Sequence, residues 1–385
     1  MLGAIIGDIV GSRFEFNPTN DYNFELFTDK CGFTDDTICT CAIADALLKG
    51  QEYGESLHEW CRLYPHPKGS YGGRFAQWVL SDNPKPYGSY GNGSAMRVSP
   101  VGCFFNRSEE MLDQAERTAH CTHNHPEGIK GAQTVALAIL VANQRKRCLA
   151  RTSDIIKSVI KECVDFSGYN IDIRMEDVIN RFDETCQGTV PVALWIINQS
   201  NGFEDAIRRA ASLGADADTL GAIVGSIAET IWGIPENIKV TALSYLDDRM
   251  TKLLYDWKKR LGQKKIDIKT FTEKYINYFM KDFNPESASY YDFFESSYFP
   301  NECWLLGFEM DCGVSFTKVY GEGAWYSYRN LSKVVDKMND IQIIGSALFS
   351  KWRFFNHWSC SHANEDDKKW FLMLLKRIQK VAIGV

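Results

Sequence analysis

The feature that most constrains this chain is a pair of acidic segments, far apart in sequence, each of which opens an apolar helix. Phe33-Thr-Asp-Asp-Thr-Ile38 leads into Cys39-Thr-Cys-Ala-Ile-Ala-Asp-Ala-Leu-Leu48. Gly214-Ala-Asp-Ala-Asp-Thr-Leu-Gly221 leads into a run of small apolar residues ending near Ala228. Like charges crowded at the entrance of an apolar helix repel, and burying them without a partner is costly. A helix N-terminus relieves part of that cost through its free N–H groups and its dipole. A hard divalent cation relieves more, because it seeks oxygen ligands. One acidic cap is commonplace, whereas two suggest that the segments meet in space. Thr34, Asp35, Asp36, Asp216, Asp218 and Thr219 would then give one pocket four carboxylates and two hydroxyls. Two divalent cations would supply the counter-charge, and an all-oxygen set points to Mg²⁺ or Mn²⁺ rather than zinc.

Composition excludes several other classes. With 43 basic and 49 acidic side chains the net charge is −6, so there is no basic footprint for nucleic acid. The N-terminal Met1-Leu-Gly-Ala-Ile-Ile-Gly-Asp8 lacks the basic start of a signal peptide, and Asp8 interrupts its apolar run. No apolar stretch is long enough to span a membrane. Twelve cysteines without an export signal read as reduced thiols, which places the protein in a cytoplasm. A length of 385 residues favours one large domain followed by a smaller one.

In chain order, Gly3, Gly7 and Gly11 share one smooth helix face that another helix can approach closely. Asp8, in the same segment, is open to two readings: a hydrogen-bonded structural acid, or a group supporting the metal ligands. Glu15 lies between Phe14 and Phe16; it is either a surface charge between packing rings or a desolvated acid–base group. Gly69-Ser-Tyr-Gly-Gly-Arg74 precedes a short helix over Phe75–Leu80. Gly88-Ser-Tyr-Gly-Asn-Gly-Ser-Ala-Met-Arg97 bares backbone N–H groups ahead of a helix start, a common way to hold phosphate. No Gly-Lys-Ser/Thr closes it, so it is not a P-loop. Arg97 is open to pairing with phosphate, pairing with the acids, or solvation. Thr118-Ala-His-Cys-Thr-His-Asn-His-Pro126 fits no zinc spacing, and its imidazoles suit ligand hydrogen bonding better. Helices are expected at Glu127–Gln144, Ser153–Val164, Val190–Asn198 and Phe203–Leu213.

Taken together, these motifs resemble the ADP-ribosylglycohydrolase family. The resemblance runs in order through Gly-Asp-Ile-Val-Gly…Phe-Glu (7–15), Phe-Thr-Asp-Asp-Thr (33–37), Ser-Tyr-Gly-Asn-Gly-Ser-Ala-Met-Arg (89–97), Thr-His-Asn-His-Pro (122–126) and Gly-Ala-Asp-Ala-Asp-Thr (214–219). It implies an all-helical catalytic domain over residues 1–262 with a binuclear Mg²⁺ or Mn²⁺ centre. On that resemblance Thr34, Asp35, Asp36, Asp216, Asp218 and Thr219 are the metal ligands. Glu15 matches a mobile glutamate near the metals, and Asp35 or Asp36 is the favoured proton carrier, with Glu15 the competing choice. Ser89, Tyr90, Gly91, Asn92 and Gly93 match the diphosphate cradle, with His123 or His125 beside the ADP-ribose. The usual Gly-Gly before the second acidic motif is Gly214-Ala215 here, which leaves the ligands intact.

Residues 263–385 change in character. Strand-like runs at Cys303–Met310, Val314–Tyr320 and Ala324–Tyr328 lie among many aromatics. With helices at Leu331–Met338 and Lys368–Val381 they suggest a small α+β accessory domain. Its aromatics build a core on the simpler reading, or dock the modified protein or a partner on the sharper one. Two functions follow. One is a metal-dependent hydrolase removing ADP-ribose from protein side chains, arginine first by analogy with the family. The other is an immunity-type binding protein that occludes an ADP-ribosyltransferase.

Overall fold

A computed structural model describes residues 1–148, 151–262, 267–283, 298–308, 313–358 and 364–383. They form two compact units, Met1–Asn143 with Thr152–Lys264, and Gln144–Arg151 with Lys265–Val385. Both are built from helices. Among the described residues β-pairing is confined to the isolated bridges Thr34–Lys68 and Gly91–Thr185. No described helix is long and apolar enough to cross a membrane.

The first unit is organised on two helices, Leu2–Gly11 and Ala217–Trp232, which pack along their lengths. The glycine face explains how closely. A Cβ on Gly3 would lie 2.1 Å from the Gly225 carbonyl oxygen, and one on Gly11 would lie 2.3 Å from that of Ala217. Only bare backbones fit there. The helix Asp35–Lys49 packs beside them; Thr34 caps its start by accepting from the Asp36 N–H (3.2 Å), and Gly50 ends it in the left-handed conformation (φ 70°). The helices expected further on are present as Pro126–Arg147, Thr152–Ser167, Cys186–Gln199 and Phe203–Ala211.

The second unit corrects the sequence reading. The expected strands are helices, Tyr298–Leu305, Val314–Tyr320 and Glu322–Tyr326; residues 309 and 310 of the first run lie outside the described set. The helix expected over Leu331–Met338 is instead a turn of helix, Tyr328–Leu331, and a 3₁₀ turn, Val335–Lys337. What decides the matter is burial against the last helix, Glu365–Ile383. Phe316 and Trp325 pack on its Trp370, with ring centroids 6.4 and 5.9 Å away. Such packing overrides the strand preference of aromatic and β-branched residues. The aromatics therefore serve as core: Phe271, Phe279, Phe299, Phe316, Trp370 and Phe371 are each almost fully buried.

Candidate functional site

The close-packed helix pair sets Asp8 beside Asp218. Asp8 is fully buried and accepts four hydrogen bonds: from the Thr34 N–H (3.0 Å) and hydroxyl (2.8 Å), and from the Thr37 N–H (3.1 Å) and hydroxyl. It thus pins the start of the Asp35–Lys49 helix against the Leu2–Gly11 helix. Burial and the Asp218 charge push its carboxyl up to about 7, against the pull of those bonds.

The two acidic motifs converge on a cleft of about 430 Å³, lined by Glu15, Asp35, Asp36, Asp216, Asp218 and Thr219. The Thr219 hydroxyl donates to Asp36 Oδ2 (3.2 Å), joining the motifs directly. Thr34 lies behind them, fully buried, with its hydroxyl directed at Asp8 and within 3.5 Å of Asp36. Burial, then the charge of Asp218, raises Asp35 and Glu15 to about 8 each, and raises Asp36 and Asp216 well above the usual carboxylate range. Asp36 Oδ1 is buried with no hydrogen-bond partner. Among the described residues, no three carboxylate, imidazole or thiol groups are gathered as a preformed metal-holding set. The acids nonetheless converge: Glu15 and Asp216 both lie within hydrogen-bonding reach of Asp218, which, after burial and the Asp218 charge, helps to raise their pKa values.

Opposite the acids runs the glycine loop. Ser89, Gly91, Asn92 and Gly93 line the cleft. A neighbouring segment fixes the loop: Asn92 N–H donates to the Glu184 carbonyl (2.7 Å) and Cys186 N–H to that of Tyr90 (2.9 Å). The Asn92 side chain donates to Asp216 Oδ2 (2.7 Å) and to Thr189 Oγ1 (3.1 Å), so the loop also orients an acid. His123 closes the wall, only 5% exposed, its Nε2 within 3.2 Å of where a Cβ on Gly93 would sit. Burial, with Arg97 and Arg74, holds its pKa well below the ordinary imidazole value. Tyr90 and His125 do not line the cleft; they pack on each other, ring centroids 5.2 Å apart, and Tyr90 is half exposed.

Arg97 is buried rather than solvated. It donates to the Thr118 carbonyl (3.0 Å) and Thr122 hydroxyl (2.7 Å), and its charge draws down the pKa of Asp35. Glu184 and Tyr87 also line the cleft, and no local motif in the sequence marks either of them.

Its similarity to known proteins makes this chain a hydrolase of glycosyl bonds. Residues 1–268 match the ADP-ribosylglycohydrolase family model, and the chain belongs to that family. It is 27% identical over 304 residues to ADP-ribosylarginine hydrolase Tri1 of Pseudomonas putida (strain GB-1), covering 66% of this chain and 76% of that protein. To human ADP-ribosylhydrolase ARH3 it is 23% identical over 323 residues, covering 64% and 88%. A solved structure, an ADP-ribosylglycohydrolase-related protein complex, aligns with a TM-score of 0.50 at 24% identity, over 68% of this chain and 97% of that one. This last likeness is one of fold.

Proposed function

We propose that this chain removes ADP-ribose from arginine side chains of modified proteins, with two divalent cations, Mg²⁺ or Mn²⁺, held by Thr34, Asp35, Asp36, Asp216, Asp218 and Thr219. The observation that carries the reading is the Thr219–Asp36 junction, beside a buried Asp36 oxygen that lacks any partner. The donor set is all oxygen and its carboxylates are raised by burial and then by mutual repulsion, so it fits a hard cation. Such cations supply positive charge at the distal ribose and allow the carboxylates to ionise together. Arginine is favoured among linkages because the similar Pseudomonas protein is named for ADP-ribosylarginine.

In the reaction the C1″–N bond breaks through an oxocarbenium-like transition state, and a water oxygen bonds to C1″. Asp35 or Asp36 takes the proton from that water, with Glu15, hydrogen-bonded to Asp218, the competing group. The leaving guanidine regains a proton, so free arginine and ADP-ribose result. The cleft-lining loop of Ser89, Gly91, Asn92 and Gly93 is assigned to the diphosphate, its Ser89, Gly91 and Asn92 N–H groups being already bonded to the Thr122 carbonyl, the Ser89 hydroxyl and the Glu184 carbonyl, and neutral His123 offers a hydrogen bond without adding charge. The test is to incubate the protein with arginine- and serine-linked ADP-ribosyl peptides, with and without EDTA, and to measure released ADP-ribose. Release from the arginine peptide alone, abolished by EDTA, is expected. Undiminished release in EDTA would overturn the metal assignment.

A further inference from the structure

The second unit carries a surface groove of about 380 Å³ on the outer face of its last helix, Glu365–Ile383. Lys369, Leu372, Met373, Lys376, Arg377 and Lys380 line it, spaced three, four, seven, eight and eleven residues from the first, so they share one face about 16 Å long. Half-buried Leu372 and Met373 form an apolar floor that rests on the core. Val335 and Asp336 contribute the facing wall, held there by Arg377, which donates to the Asp336 carbonyl (2.7 Å) and to that of Met338 (2.5 Å). Lys376 and Lys380 are exposed and form no ion pair among the described residues. Four basic side chains and one acid line the groove, Lys369 among them paired with Asp366 beyond it (3.6 Å), in a chain whose net charge is −6.

We infer that this groove docks an acidic amphipathic helix of a partner protein, its leucine-like side chains on Leu372 and Met373 and its carboxylates on Lys376 and Lys380. Charge complementarity selects an acidic partner. The apolar patch of Leu372 and Met373, set within a basic face about three helical turns long, selects a helix over a phosphodiester backbone, which needs no such patch. The family match ends at residue 268, so the groove belongs to the part of the chain that the shared fold does not account for. Binding is read directly, so the inference stands or falls separately from the hydrolytic assignment.

The probe is a fluorescein-labelled peptide of about 14 residues, with leucines at helical spacing flanked by glutamates, titrated with the full-length protein and read by anisotropy. Saturable binding that weakens in about 0.5 M NaCl is expected. The double variant Lys376→Glu/Lys380→Glu should lose affinity at least about tenfold, and Lys376→Arg/Lys380→Arg should keep it. Circular dichroism confirms that both variants fold, and release of ADP-ribose from a small arginine-linked peptide should be unchanged in both. Absence of saturable binding, or equal binding by the charge-reversed variant, would overturn the proposal. So would more effective displacement of the peptide by oligothymidylate or by phosphatidylserine vesicles than by unlabelled peptide, since the occupant would then be nucleic acid or membrane.

Discussion

Gly7 and Gly221 meet backbone to backbone: a Cβ on Gly7 would lie 1.9 Å from the Gly221 carbonyl oxygen. That approach is what sets Asp8 and Asp218 within reach of each other's charge. Gly7→Ala must therefore push the two central helices apart, and we expect a loss of about 3 kcal/mol or more in urea unfolding. Gly73→Ala, with no atom within 4 Å of the added carbon, should change stability by less than about 1 kcal/mol.

Asp36→Asn and Asp218→Asn should each lower turnover by about 10³-fold or more and abolish heat of Mg²⁺ binding in titration calorimetry. In EDTA both should melt higher than the EDTA-treated wild type, because each removes a repelling charge. The sign of the pH dependence follows. Asp8, raised to about 7, and Glu15 and Asp35, raised to about 8, bind protons more tightly folded than unfolded. The contribution of these three groups to metal-free stability should thus be fullest below the ordinary carboxylate range and fall as pH rises from about 4 to about 8. The loss should be smaller in Asp218→Asn, which differential scanning fluorimetry across that range will show.

His123 should remain neutral throughout the working range, since burial and two arginines oppose its protonation. Its ring carbon shifts should stay flat between about pH 6 and pH 8. A His123 titration midpoint near the ordinary value would refute this burial argument.

Lys351 is buried in the second unit, donating to the Trp325 carbonyl (2.6 Å) and lying 4.2 Å from the Trp370 ring centroid. Burial lowers its pKa from 10.5 to about 8. Between those values the unfolded chain holds the extra proton, so stability from this group rises with pH. Lys351→Met should remove that rise, seen as the difference between wild-type and variant urea midpoints at about pH 7.5 and pH 10.

Some features of this chain are legible from neighbouring residues alone. The acid–hydroxyl pairs, the glycine face of the first helix and the bared loop at 88–93 each carry their chemistry in neighbouring residues, so no partner is needed to recognise them. The amino-acid order by itself determined a mainly helical chain of the ADP-ribosylglycohydrolase family and named the acids that line its cleft. Only the tertiary structure decided which residues serve them. Asn92 holds Asp216 from 124 positions away, Asp8 anchors Thr34 and Thr37, and Arg97 is drawn inside while Tyr90 and His125 stay off the cleft. It also turned Val314–Tyr320 from an expected strand into a helix. The reason is common to all of these: a side chain's own pattern states what it can bond to or bury, and the packing of distant helices determines which of those possibilities is within reach.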